Sequence, residues 1–239
     1  MLHLDQDYRA WRYRLRVEPR EIAFVRRVLR PGDRAVDIGA HKGAFTYWMR
    51  KAVGPTGAVI AFEPQPKLAA RLARAVADRR WDNVTVHPRA LSSAPGTLSL
   101  MVPDGGAPSP GATLESRAAR AGDVAVEVEV TTLDAVIAPG AAVRLVKCDV
   151  EGHELSVFAG ARRVLTEAKP IVLFECEARH GSRMNDVFAS LSELGYAGSF
   201  FWGDALLPVA QFDAAVRQVP GMRPYANNFV FALPSVLTP

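Results

Sequence analysis

Cysteine is scarce in this chain: Cys148 and Cys176 are the only two in 239 residues. Each lies in an apolar run that reads as a buried strand, so no disulfide scaffold is expected and a reducing compartment fits best. Lysine is scarce too, with five among 29 basic residues, so the net charge of +4 rests on arginine. The arginines are spread along helical stretches between acids rather than clustered, and the basic balance therefore argues for no nucleic-acid partner. Long apolar runs are missing, since none approaches the roughly 18 residues of a membrane span. The opening Met1-Leu2-His3-Leu4-Asp5-Gln6-Asp7 lacks the basic and apolar regions of a signal peptide, and a soluble cytoplasmic protein is expected. What the chain has in quantity is apolar surface, 49% of residues against 23% charged. That usage is ordinary for globular proteins and excludes disorder as the main state.

Apolar runs of strand length alternate with helical patterns, the mark of a parallel α/β sheet. Residues 5–29 read as helical, with Pro19 dividing two helices. Strands are expected at 34–38, 58–62 and 84–87, with helices at 45–53 and 66–80 between them. Residues 97–102 and 124–131 alternate like antiparallel strands around a Gly/Pro-rich stretch, 103–122, that reads as an arm or lid inserted in the fold. Regularity returns with strands at 144–150 and 171–176 and helices at 154–166 and 184–194. Two closing strands follow, 196–202 and 228–233, joined by an irregular segment.

Three segments carry chemistry. In Val36-Asp37-Ile38-Gly39-Ala40-His41-Lys42-Gly43 a strand ends in an acid, turns through two glycines and opens a helix. The glycines let the backbone turn sharply and approach a ligand. The helix N-terminus favours an anion and Asp37 a cation, which together suit an amino-acid moiety. His41 stands where the dinucleotide fingerprint has its middle glycine, which argues against a nicotinamide-dependent oxidoreductase. Glu63, 20 residues after Gly43 at the end of the second strand, can accept hydrogen bonds from both hydroxyls of a ribose. A nucleoside bearing an amino-acid group describes S-adenosylmethionine. The third segment, Lys147-Cys148-Asp149-Val150-Glu151-Gly152-His153-Glu154, crowds ionisable groups at the end of an apolar strand, where α/β sheets bind ligands. Lys147 within a buried strand needs a partner.

With these residues in view the chain resembles the FkbM-type S-adenosylmethionine-dependent methyltransferases. The matching pieces are VDIGAHKGAFT, VIAFEPQP, TTLDAV, RLVKCDVEGHELSVFAGARRVL and PIVLFECE, in the family's order across about residues 20–235. The resemblance implies a class I methyltransferase (Rossmann-like) α/β fold. Its mostly parallel sheet would have seven strands, the last antiparallel, with helices on both faces and an inserted β-hairpin arm at about 97–131. A single domain, 31–239, would follow an N-terminal helical segment, 1–30. The resemblance implies O-methylation of a hydroxyl on a sugar or polyketide-type small molecule. It places Asp37, Gly39, Ala40, His41 and Gly43 at the methionine end of the cofactor, Glu63 and Pro64 at the ribose, Arg89 and Ala90 at the adenine, and Asp149 beside donor and acceptor.

An alcohol is a weak nucleophile at neutral pH, so a base should take its proton. His153 is the natural candidate, with Asp149 or Glu151 as alternatives or as its orienting partner, and His41 behind them. In a second arrangement, Asp149, Glu175 and Glu177 would hold a divalent cation such as Mg²⁺ that binds the acceptor hydroxyl. Methylation of RNA or protein is the main rival reading. Oligomeric state is left open, a homodimer being one option.

Overall fold

The computed structural model describes residues 2–115, 122–180 and 183–237. The chain begins with α1 (Leu2–Arg12), a π-helical turn (Tyr13–Val17) and α2 (Pro19–Val28), with Pro19 at the first helical position, where its missing N–H costs nothing. A parallel βα series follows: β1 (Arg34–Ile38), α3 (Ala44–Val53), β2 (Ala58–Phe62), α4 (Pro66–Asp78) and β3 (Val84–His87). The insertion comprises β4 (Ala90–Leu91), β5 (Gly96–Val102), the short α5 (Pro103–Gly106) and β6 (Val124–Thr131). The series resumes with α6 (Leu133–Val136), β7 (Leu145–Cys148), α7 (Glu154–Ala159), α8 (Arg162–Glu167), β8 (Ile171–Glu175) and α9 (Met184–Ser192). It closes with β9 (Ala197–Trp202), β10 (Ala205–Pro208), α10 (Ala214–Arg217), β11 (Asn228–Ala232) and α11 (Pro234–Leu237).

The main sheet runs β10-β9-β11-β8-β7-β1-β2-β3. Its centre is parallel, and β11 lies antiparallel between β8 and β9, as the resemblance implied. Among the described residues it has eight strands rather than seven. The extra one, β10, pairs back on β9 through Gly203-Asp204, a two-residue turn with Gly203 at φ +59°. The arm is a separate three-stranded sheet, β4-β6-β5, in which β5 and β6 form the expected hairpin. Among the described residues no helix is long and apolar enough to cross a membrane.

Burial on both faces explains why the central strands read as unbroken apolar runs. In β8, Val172 and Phe174 face one core while Ile171 and Leu173 face the other, and β11 divides Phe229 and Phe231 from Val230 and Ala232 in the same way. One core packs under α7, α8 and α9, the other under α2 and α3.

The helix expected at 154–166 is broken at Gly160-Ala161. A Cβ on Gly160 would lie 2.0 Å from the Ser92 carbonyl oxygen, so only glycine lets this backbone sit so close to the end of β4. The second half, α8, is capped from a distance. The Asp134 carboxylate accepts from the Arg163 and Val164 N–H groups at 2.8 and 2.9 Å. The TTLDAV and GARRVL segments are thus a structural clasp.

Candidate functional site

The strand order reverses between the parallel neighbours β1 and β7, the point at which open α/β sheets bind ligands beyond the carboxyl ends of their strands. A cavity opens there, bounded by the turn after β1, the loop after β2, the start of β4, the loop after β7, the N-terminal segment and the arm.

The turn after β1 is folded by its glycines. Gly39 has φ +74°, and the Gly39 and Ala40 N–H groups both donate to the Phe62 carbonyl, at 3.0 and 2.9 Å. Gly39, Ala40 and His41 line the cavity. His41 Nε2 is buried there with no hydrogen-bond partner among the described residues, and burial pulls its imidazole down to about 4, so it is neutral.

Asp37 and Gly43 are placed differently from the expectation. Asp37 is fully buried beneath the turn rather than in the cavity wall. Thr46 Oγ1 donates to its Oδ2 at 2.6 Å, so Asp37 itself meets the first turn of α3 that was expected to receive a ligand carboxylate. Gly43 closes the turn through its N–H to the Ala40 carbonyl at 2.7 Å. Parallel register sets Asp37 of β1 beside Lys147 of β7, and adjacent residues in register present their side chains on one face. Lys147 Nζ lies 3.9 Å from Asp37 and 3.2 Å from Asp149, and 5.0 Å from the Phe45 ring centroid. Burial opposes the lysine's charge, but Asp149, Asp37 and Glu18 outweigh it and raise its pKa. Lys147 has the partners its place in a buried strand demanded.

Glu63 lines the cavity and is buried, accepting from the His41 N–H at 2.6 Å and the Gln65 N–H at 2.9 Å. Burial outweighs these donors and lifts its pKa to about 7. Pro64, Arg89 and Ala90 line the same side.

Asp149 and Glu151 line the opposite side. Glu151 holds φ +50°, and burial, then Asp149 and Glu177, push its carboxyl to about 8. His153, expected as the base, turns away. Its Nδ1 lies 2.6 Å from Glu115 Oε1 and its Nε2 2.9 Å from Ser92 Oγ, so both ring nitrogens are engaged outside the cavity. The metal arrangement also lacks its donors. Glu177 is held by Arg179 and Tyr225, which keep it at about 2 despite burial, while Glu175 accepts from Asn227 Nδ2 at 2.9 Å. Among the described residues no group of three or more His, Cys, Asp or Glu is placed to hold a metal ion.

Sequence reasoning named none of the residues that the N-terminal segment and the arm bring to the cavity. Tyr13 and Glu18 bring the N-terminal segment into the cavity wall, and burial lifts Glu18 to about 8. Glu18 stands before Pro19 and reads simply as the flank of a helix start. The arm contributes Leu100, Ser109, Pro110, Ala112 and Leu114. It was expected as a lid, but its seat on Gln65 left no pattern; residues 116–121 of the 103–122 stretch lie outside the described residues.

The residues fit S-adenosylmethionine. Glu63 offers carboxylate oxygens at the end of β2, Phe62, Ala90 and Leu91 offer apolar surface for a base, and the unpaired His41 Nε2 offers a polar contact. Asp149, Glu151, Glu18 and Glu175 crowd carboxyl groups on the far wall, and a cationic group seated beside them would favour their ionised forms.

A family model described as the methyltransferase FkbM domain matches residues 37–197. No protein of curated function matches the chain in sequence. Among solved structures, the chain is similar to methyltransferase FkbM from Methylobacillus flagellatus, 18% identical with a TM-score of 0.53, over 96% of this chain and 54% of that one. It is also similar to the O-methyltransferase TomG from Streptomyces achromogenes, involved in tomaymycin synthesis and solved with S-adenosylmethionine: 13% identical, TM-score 0.52, over 95% and 88% of the two chains. An rRNA methylase from Streptococcus thermophilus is 10% identical, with a TM-score of 0.52 over 89% and 94%. At these identities the likeness is one of fold, and the chain spans about half the length of the first of the three.

Proposed function

The chain belongs to the FkbM family of S-adenosylmethionine-dependent methyltransferases, and from that premise we propose that it methylates a hydroxyl of a small molecule of sugar or polyketide type. The observation that carries the reading is the cavity at the β1/β7 reversal, with Glu63 on one side and Asp149 and Glu151 on the other. The cofactor supplies a methyl group already activated on a sulfonium, so the protein's task is alignment and proton removal.

In this reading the cavity edge of the turn, Gly39 to His41, holds the methionine end, while Asp37 and Gly43 shape that turn from beneath. Glu63 and Pro64 hold the ribose, and Arg89 and Ala90 flank the adenine. Glu151 accepts the hydroxyl proton of the acceptor, since a carboxyl near 8 is matched to work close to neutrality. Asp149, fixed by Lys147, orients the acceptor. We also propose that residues 31–239 act as one domain completed by the N-terminal helices.

Calorimetric titration with S-adenosylhomocysteine tests the cofactor, with micromolar binding expected. Transfer of a labelled methyl group to a panel of monosaccharides, hydroxylated polyketides and RNA tests the acceptor. Label in RNA alone would overturn the small-molecule reading.

A further inference from the structure

One segment of the arm is fastened to both sides of the cavity. At one end Gln65, two residues beyond Glu63, grips the Ser109 backbone twice: its Nε2 donates to the Ser109 carbonyl at 2.9 Å, and its Oε1 accepts from the Ser109 N–H at 3.0 Å. At the other end Thr113 Oγ1 donates to the Glu151 carbonyl at 2.7 Å, and Glu115 meets His153 Nδ1 at 2.6 Å. Between these ends the chain turns at Pro110-Gly111 and is then bridged at Thr113 to Met101 of β5. Its side chains alternate: Ala112 and Leu114 line the cavity, while Thr113 and Glu115 reach the fastenings.

We propose that residues 109–115 form a strap across the cofactor cavity and that Gln65 and His153 are positioning residues whose hydrogen bonds hold it closed. This rests on the reading of the cavity as a cofactor site and extends it to the control of cofactor exchange. The strap ties the loop that follows β2 to the loop that follows β7, so a ligand seated between them is retained until a fastening opens. The histidine that sequence alone marks as a base thus acts on the site through Glu115. Side-chain hydrogen bonds at a half-exposed edge are among the weaker interactions in a fold, which suits a closure that must open in each turnover.

The experiment is the dissociation rate of S-adenosylhomocysteine from the full chain, measured by surface plasmon resonance for wild type, Gln65→Ala, Glu115→Ala and Glu115→Gln. The Glu115 side chain is 42% exposed, so its removal leaves the core intact. Hydrogen exchange across residues 109–115 is followed in the same proteins. Glu115→Ala is expected to release the ligand about tenfold faster with a melting temperature close to wild type, the scale of one lost hydrogen bond, and Gln65→Ala, which loses two, faster still. Glu115→Gln, which keeps an acceptor for His153, should restore slow release. Ligand should slow exchange of the strap in wild type more than in Glu115→Ala. Unchanged release in both alanine variants, with wild type binding normally, would overturn the strap alone. Failure of wild type to bind would overturn the cofactor reading and the strap with it.

Discussion

Gly39 and the carbonyl of Asp149 are packed so closely that a Cβ on Gly39 would lie 1.9 Å from the Asp149 oxygen. Asp149 in turn donates its N–H to the Ile38 carbonyl at 3.0 Å. The two loops that form the floor of the cavity are therefore locked by backbone alone. Gly39→Ala forces them apart and places a side chain at φ +74°. Backbone strain of about 1 kcal/mol and overpacking of about 1–3 kcal/mol should together cost roughly 2–4 kcal/mol of stability. The measurements are denaturant unfolding and binding of S-adenosylhomocysteine, which should be lost. A variant that binds normally would show that the loops can part without harm to the site.

Lys147 supports the same floor from below. Replacing it with Met leaves Asp37 buried without its counter-charge, and its Oδ1 has no hydrogen bond to fall back on. Breaking a buried pair on one side costs about 3–5 kcal/mol. Lys147→Met should approach that loss in chemical denaturation. Adding Asp37→Asn should recover part of it, because the double variant no longer buries a lone charge. Additive losses would contradict the coupling.

The strands, the glycine turn and Glu63 were legible because each has a local cause: two-sided burial, a backbone conformation only glycine adopts easily, and an acid at a strand end. Asp37 was read into the cavity because sequence marks it as next to the turn without saying which side of the sheet it faces. The register against Lys147 decides that, and register is a tertiary fact. His153 was misassigned for a related reason. Its type and place suit a base, but its ring is claimed by Glu115, 38 residues away on the arm, and by Ser92. Gln65 and Glu18 carried no pattern, since their roles depend on segments that meet only in the fold. The Gly203-Asp204 hairpin was missed as an irregular segment, although its two-residue turn is a local signal.

Glu63 accepts from two backbone N–H groups, so Glu63→Gln turns an amide donor toward one of them. The loop after β2 then loses a fixed acceptor as well as a carboxylate for the ribose. The dissociation constant for S-adenosylhomocysteine should rise at least about tenfold, and calorimetry reads it directly. An unchanged constant would move the ribose away from β2.

Glu151→Gln separates binding from chemistry. The amide keeps the size of the side chain and cannot take a proton. If Glu151 is the base, kcat should fall by about 10²–10⁴ while cofactor affinity stays within a few fold. The wild-type rate should rise with pH toward about 8 as the carboxyl ionises, and the variant should lose that limb. A matched loss of kcat with the limb retained would give the proton to another group.

Glu18 makes stability depend on pH in a definite direction. Its carboxyl has an ordinary value of 4.5 and rises to about 8 in the fold, chiefly through burial. Below 4.5 both the folded and the unfolded chain hold the proton, and the group is neutral in its effect. Between 4.5 and 8 the unfolded chain releases a proton that the folded chain keeps, so the contribution to stability falls steadily as pH rises. Above 8 the folded chain carries the buried charge and the loss is complete, on the order of a few kcal/mol. Glu63 and Glu151, raised to about 7 and about 8, slope the same way, whereas His41, lowered to about 4, slopes oppositely below 6.5. Glu18→Gln removes one of these falling contributions. Melting curves of wild type and variant should nearly coincide at pH 5, and the variant should melt several degrees higher at pH 9. Parallel curves across that range would mean that water reaches Glu18 and that the N-terminal segment does not seal the cavity.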